Sequence, residues 1–344
     1  MGVTPDDAAR RTLARPALAA GWAAVALAAV PALLGVHLSP AARYAPLVAS
    51  VVVFGLPHGA IDWVALPRAV AGRVTPRWVA AVGVLYLVLG GAYAAAWFRW
   101  PVAAALAFVA LTWFHWGQGD VYPLRAFAGA DHLDARGVRA GTLVVRGGLP
   151  MLVPLLAHPE TYRDVVSAFA APFGGTVGDL AVFDPRVRVS LGVAFAALTA
   201  ATLAAGWLAA ENRRAWRVDA GETLGLWAFF LAVPPAFAVG VYFCLWHSVR
   251  HVARAVAVDD GARPALARGD LASPLRRFAR DAAPLTAAAL VLFAALAAVV
   301  PDRPTTLAGW SGLYLSFVAI LTLPHVAAVT WMDRAQGVLG GERD

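Results

Sequence analysis

Five of the eight histidines in the sequence lie inside long apolar runs or at their edges. His58 sits in Phe54-Gly55-Leu56-Pro57-His58-Gly59-Ala60-Ile61-Asp62. His115 sits in Thr112-Trp113-Phe114-His115-Trp116-Gly117-Gln118-Gly119-Asp120. His247 and His251 share Trp246-His247-Ser248-Val249-Arg250-His251, and His325 follows Leu323-Pro324. His247 and His251 are four residues apart. On a helix that spacing puts both imidazoles on one face, one turn apart, where they can grip one metal ion. A lone pair of this kind arises easily by chance. Five imidazoles in apolar surroundings are harder to set aside, because polar groups there are costly and usually mark a site. Three uses stay open at this point: a shared metal centre, haem ligation, and scattered structural or proton-handling roles. His37, His132 and His158 fall at or beyond the ends of apolar runs and read as solvated interface residues.

Neutral imidazole suits iron, copper, nickel and zinc, and hardly suits calcium or magnesium. His58, His115, His247 and His251 would bring no negative charge, so a divalent ion among them stays electrophilic. Four imidazoles fill a tetrahedral zinc site, which makes it structural. Iron takes more ligands, so four imidazoles leave positions for O2 or water, and the residues alone favour Fe(II) only slightly. His325 reads as a near-site residue outside this set. Asp62 and Asp120 follow His58 and His115 by four and five residues. They are candidate acceptors for imidazole N–H groups, which would fix ring orientation. Their alternative is to cap helix ends or meet interfacial water, and Asp333 is assigned to the interface. Pro57 and Pro324 each precede a histidine, and a kink there would make room beside a ligand. Aromatic residues gather at the same motifs: Trp63, Trp113, Phe114, Trp116, Tyr242, Phe243, Trp246 and Trp331. Some belong to an interfacial belt. Others are candidates to line an apolar tunnel.

The elements that must carry these residues are membrane helices. The chain has 344 residues, of which 60% are apolar and only 14% charged, and its mean hydropathy is +0.66. Soluble domains carry about a quarter charged residues. A membrane span needs about 20 apolar residues. Candidate spans cover roughly 17–37, 45–66, 78–98, 101–118, 139–157, 188–209, 281–300 and 308–331. Region 222–252 holds Pro234-Pro235 at its middle and reads as a hairpin of two short helices. The expected fold is an all-α polytopic transmembrane bundle of about 8–10 membrane segments with a His-lined metal site. Residues 1–16 form a short N-terminal cytoplasmic segment, 17–333 a single membrane-embedded domain, and 334–344 a short tail. A cleaved signal peptide would also start with Arg10, Arg11 and Arg15 before an apolar run, but this run is long enough to span.

All 28 basic residues are arginine. A net charge of +7 could indicate nucleic acid. The arginines sit instead in short loops between apolar runs, the pattern of cytoplasmic loops facing anionic lipid, so no nucleic-acid partner is expected. With the N-terminus inside, Arg68, Arg73, Arg77, Arg125, Arg136, Arg139, Arg213, Arg214 and Arg217 fall on the same side. The stretch from Arg254 to Arg280 does so only if region 222–252 turns back. Both termini are then cytoplasmic, in the cell membrane. The same topology puts His58, His115, His251 and His325 on helices that all run toward the inside. Arg146 falls within a span or at an interface. Cys244 is the only cysteine, so neither an intramolecular disulfide nor a cysteine metal site is available.

The runs Gly-Leu-Pro-His-Gly-Ala-Ile-Asp, His-Trp-Gly-Gln-Gly-Asp, Trp-His-Ser-Val-Arg-His and Leu-Pro-His occur in this order. Together they resemble the Brp/Blh family of bacterial and archaeal membrane β-carotene 15,15′-dioxygenases, over about 45–333. The resemblance implies cleavage of the central double bond of β-carotene by O2 to two retinal molecules. It implies iron held by His58, His115, His247 and His251, and leaves the role of His325 open. It brings a retinal-binding rhodopsin in as a candidate functional partner. An apolar substrate could enter sideways from the lipid bilayer into an apolar tunnel and needs no charged binding group. Two other readings stand beside it. One is a bis-His haem-binding redox protein, which would show a haem absorption band. The other is a transporter or proton-handling protein, whose activity would survive chelation.

Overall fold

A computed structural model describes residues 6–178 and 180–339. Residues 1–5 of the expected N-terminal segment and 340–344 of the expected tail lie outside the described residues. The described chain is all helical. The helices are α1 (Asp7–Leu33), α2 (Pro40–Ser50), α3 (Gly55–Ala60), α4 (Asp62–Ala71), α5 (Pro76–Arg99), α6 (Pro101–Pro123), α7 (Arg136–Ala157) and α8 (Pro159–Ala170). They continue as α9 (Pro185–Ala209), α10 (Arg213–Ala232), α11 (Pro235–Val241), a π-helical turn (Tyr242–His247), α12 (Ser248–Ala257), α13 (Arg263–Ala267), α14 (Ala272–Val299) and α15 (Leu307–Gln336). Local chemistry starts many of them. Asp6, Ser39, Thr75, Asp184, Asn212 and Thr306 each cap an N-terminus through a side-chain oxygen, and Pro40, Pro76 and Pro185 occupy the first turn.

Among the described residues, seven helical stretches are long and apolar enough to cross a membrane: α1, the α2–α4 stretch, α5, α7, α9, α14 and α15. This is a multi-pass membrane architecture. Three further long elements, α6, α10 and α11–α12, fall short of that apolarity for one reason. They carry Gln118 and Asp120, Asp219 and Glu222, and Arg250 and Arg254, all of them buried. These polar side chains point into the bundle, so its interior takes the groups that hydrocarbon would reject.

Small residues set the closest approaches. A Cβ on Gly117 would run into the Leu143 backbone, and one on Gly147 into the carbonyl of Trp113. The pairs 117/143 and 113/147 show α6 and α7 antiparallel and nearly touching, as packing without a hydrophobic drive favours. Region 222–252 does turn back. Glu222 on α10 and Arg250 on α12 pair at 2.5 Å, whereas an unbroken helix would hold them about 42 Å apart. Val233 is extended and Pro234 precedes the new helix, so the two prolines make the reversal. The arginine-bearing ends meet at one end of the bundle: Arg263 pairs with Asp6 at 2.9 Å, Arg125 donates to the Val338 carbonyl at 2.7 Å, and Asp131 accepts from the Asn212 backbone at 2.7 Å.

The α2–α4 stretch is broken rather than kinked. Residues 51–54 leave the helix, Phe54 takes a left-handed backbone (φ 56°), and Gly55 is pressed against Ser50 with no room for a Cβ. Pro57 is thus in the first turn of a new helix, where its missing N–H costs nothing. Pro324 stays inside the continuous α15.

Candidate metal centre

Five elements bring five imidazoles together. The break at 51–54 aims α3 so that His58 enters the interior, α6 contributes His115, and α15 contributes His325. The π-helical turn ends on His247 and runs straight into α12, which carries His251; such turns often occur at functional sites. All five are buried, none more than 6% exposed. Nε2 of His247 lies 3.1 Å from Nε2 of His115. The imidazole centroids of His58 lie 5.4, 5.3 and 5.1 Å from those of His247, His251 and His325. His115 stands 4.7 Å from His247 and 4.8 Å from His325, and His251 stands 4.9 Å from His325 and 6.4 Å from His247. Rings bound to one ion through nitrogens at about 2.1 Å have centroids roughly 4.5–6.5 Å apart, from cis to trans. Every one of these separations falls in that range. Ligand atoms of His58, His115 and His247 lie within 4.8 Å of one another, and so do those of Asp62, His251 and His325.

Three of the outer nitrogens are tied down. Nδ1 of His325 bonds Asp62 at 2.7 Å, and the Tyr86 hydroxyl donates to the same carboxylate oxygen at 2.7 Å. Nδ1 of His115 faces Oε1 of Gln118 at 3.3 Å, while the Gln118 amide nitrogen donates to Thr330 at 3.1 Å. Nδ1 of His58 bonds the Gly55 carbonyl and lies 3.2 Å from the Ser248 hydroxyl. Protons held on these three Nδ1 atoms leave the Nε2 lone pairs pointing inward. Nε2 of His251 and of His325 are buried with no hydrogen-bond partner. Gly119 leaves the space for His247, whose Nδ1 would be 2.8 Å from an added Cβ. Nδ1 of His247 is also buried without a partner. A cluster of neutral imidazoles, three with Nδ1 bonded and three with an orphaned nitrogen, suits a divalent transition metal.

One cavity of about 580 Å³ reaches this cluster, lined by His58, His115, His247, His325 and Asp62 and otherwise mostly by apolar side chains. Of the eight aromatic candidates, Trp63, Trp116 and Phe243 line it. Tyr242 and Trp246 are buried behind that wall, stacked 6.0 Å apart. Trp113 packs on Phe195, while Phe114 and Trp331 are exposed on the outside of the bundle.

Several sequence expectations change here. Asp120 neither bonds His115 nor caps a helix end. It accepts from the indole of Trp246 at 3.0 Å and from Arg250 at 3.0 Å. It belongs to a second buried cluster in which Arg146 meets Glu222 at 2.5 Å, Asp219 at 3.3 Å and Asp120 at 3.5 Å. Arg146 is therefore wholly interior and does not reach an interface. His132 is not solvated: it is 1% exposed and lies 3.1 Å from Asp219. Asp333 is not interfacial either, being fully buried and paired with Arg254 at 2.7 Å. His37 is exposed as expected, and His158 is half-buried. Asp62 does accept from an imidazole, but from His325 across the bundle. Gln118 and Tyr86 were missed. Gln118 stands inside the second histidine motif, so its place was a usable signal; Tyr86, in an otherwise apolar helix, offered none. Asp219 and Glu222 were signalled by being acidic inside an apolar stretch.

Comparison with known proteins adds an independent finding. The family model described as "Beta-carotene 15,15'-dioxygenase" matches residues 49–333. The chain is 68% identical over 340 residues, 98% of its length and 99% of the relative's, to "Probable beta-carotene 15,15'-dioxygenase Blh" of Halobacterium salinarum. It is 34% identical over 310 residues, covering 83% of this chain and 82% of the relative, to "Probable beta-carotene 15,15'-dioxygenase Brp" of the same organism. No solved structure matches the chain.

Proposed function

Because the chain belongs to the β-carotene 15,15′-dioxygenase family, we propose that it cleaves the central double bond of β-carotene with O2, giving two retinal molecules, at Fe(II) held by the buried histidines. The observation that carries this reading is the meeting of partner-less imidazole nitrogens with a mostly apolar cavity. His58, His115, His247 and His251 are the proposed ligands, and His325 is a fifth donor rather than a bystander, since its ring is as close to its neighbours as any other. When bound, the iron supplies a site for O2 activation. The protein's own share is positioning. Asp62 and Tyr86 hold the His325 ring, Gln118 holds His115, and the Gly55 carbonyl holds His58. The apolar walls accept a polyene and keep water away from the histidines. The reaction balances with O2 alone: the carbon–carbon double bond breaks and each half takes one oxygen atom as an aldehyde. It therefore calls for neither an electron donor nor a proton relay.

The arginine-rich end supports a cell-membrane orientation with that end, and both termini, in the cytoplasm; a reporter near Arg263 that read from the other side would overturn it. The decisive test is expression in β-carotene-producing bacteria. The reading predicts loss of colour with retinal as the product, and unchanged carotenoid in cells holding the folded, iron-loaded protein would contradict it.

A further inference from the structure

The cavity has two unlike ends. Toward α5 and α14, six lining residues are exposed on the outside of the bundle: Val79, Gly83, Pro284, Leu285, Ala288 and Leu292. They sit in two helices apolar enough to cross a membrane, so this opening faces hydrocarbon. Toward α8 and α11 no lining residue is exposed: Phe108, Met151, Phe169, Pro235 and Leu315 are buried, and Tyr162, Val165 and Val239 are half-buried. That end is also stiff. Ser316 donates to the Phe169 carbonyl at 2.9 Å, and Gly312 lets the Ala168 backbone lie directly on α15.

The histidines lie between the two ends. The buried arm follows α6 from Phe108 to His115 and α15 from Leu315 to His325. At 1.5 Å per residue these stretches give it a depth of about 10–15 Å beyond the cluster. Phe108 and Phe169 stand together in the lining of this arm, their rings 5.8 Å apart.

We propose that the closed arm is a ruler that selects the bond to be cut. A carotenoid enters end-first from the lipid through the gap between α5 and α14, passes the histidines, and stops with its leading end against Phe108 and Phe169. The depth of the arm then sets which carbon–carbon bond rests at the histidines. The open arm holds the trailing half and takes part in entry only. This rests on the carotenoid-cleaving reading above and adds to it the residues that fix the position of cleavage.

The two arms can be separated by experiment. The full chain is placed in phosphatidylglycerol vesicles containing β-carotene, with products identified by chromatography and mass. Carotenoid retained by the metal-depleted protein, read by visible absorbance, reports binding apart from turnover. Phe108→Ala with Phe169→Ala deepens the closed arm and is expected to yield two aldehydes of unequal length. Leu315→Trp shortens it and is expected to move the cut the other way or to abolish it, with carotenoid retention reduced. Gly83→Trp and Ala288→Trp narrow the opening; retinal should stay the sole product while carotenoid retention and turnover fall severalfold. Retinal as the sole product from both closed-arm variants, with wild-type carotenoid retention, would overturn the ruler. Wild-type uptake in both opening variants would overturn the entry route. A wild-type protein that retains no carotenoid and forms no aldehyde would sink the carotenoid reading itself.

Discussion

The histidine cluster and the arginine–carboxylate cluster stand back to back on the same two helices, α6 and α12, and differ in what they leave unanswered. In the charged cluster Arg146 and Arg250 face Asp120, Asp219 and Glu222 at 2.5–3.5 Å. Arg250 also lies over the Trp246 ring at 4.1 Å. None of these residues lines the cavity. In the histidine cluster the Nδ1 atoms of His58, His115 and His325 are bonded, while Nδ1 of His247 and Nε2 of His251 and His325 have no partner, and His247 and His325 line the cavity. Unpartnered nitrogens occur in both clusters, on Arg146 and Arg250 as on His247, His251 and His325; those of the arginines are neutralised by facing carboxylates away from the cavity, whereas the imidazole cluster opens onto it. Helix α12 shows both: Arg250, between His247 and His251 in sequence, braces the bundle so that they can face inward.

That contrast can be broken by substitution. The largest functional effect is expected from His247→Ala, which removes a proposed ligand beside an existing cavity. Iron content by elemental analysis should fall to background and retinal formation should cease, while membrane yield and thermal stability stay near wild type. Glu222→Ala should do the reverse. It removes the carboxylate shared by two buried guanidinium groups and leaves Asp120 and Asp219 to face both; removing one partner of a buried pair costs about 3–5 kcal/mol. The yield of folded protein and its unfolding temperature should drop, while the fraction that remains folded keeps its iron. A stable Glu222→Ala protein that had lost iron would erase the distinction between the clusters. Asp62→Asn should have the smallest effect, because it weakens the hold on one ring without deleting it. Losses of about 10–100-fold in metal affinity or turnover are typical of such outer partners. An unchanged metal titration for Asp62→Asn would show that His325 needs no fixing.

The sequence made the class of fold, the histidines and the reversal at Pro234-Pro235 legible for physical reasons. Hydrocarbon demands long apolar runs, and imidazoles inside such runs stand out against them. The arginine asymmetry required the same reversal that the Glu222–Arg250 pair displays. What stayed hidden depends on pairing across the bundle. Asp120 lies five residues from His115, yet helix rotation turns it to the opposite face and toward Arg250. Asp333 and His132, at the ends of apolar runs, look solvated until Arg254 and Asp219 are seen beside them. The partner of Asp62 is His325, 263 residues away, and no local spacing could have announced it. The break at 51–54 was equally hidden, because Val51, Val52 and Val53 read as a continuation of the span.

The central claim, that the buried imidazoles hold one iron, is tested most directly by combining metal quantification with X-ray absorption at the iron edge on the wild-type protein. The account predicts about one iron per chain, surrounded by light donors at about 2.0–2.2 Å with imidazole scattering behind them. A protein that cleaves carotenoid at full rate with far less than one metal ion per chain would contradict it, and so would an iron whose nearest neighbours show no imidazole signature.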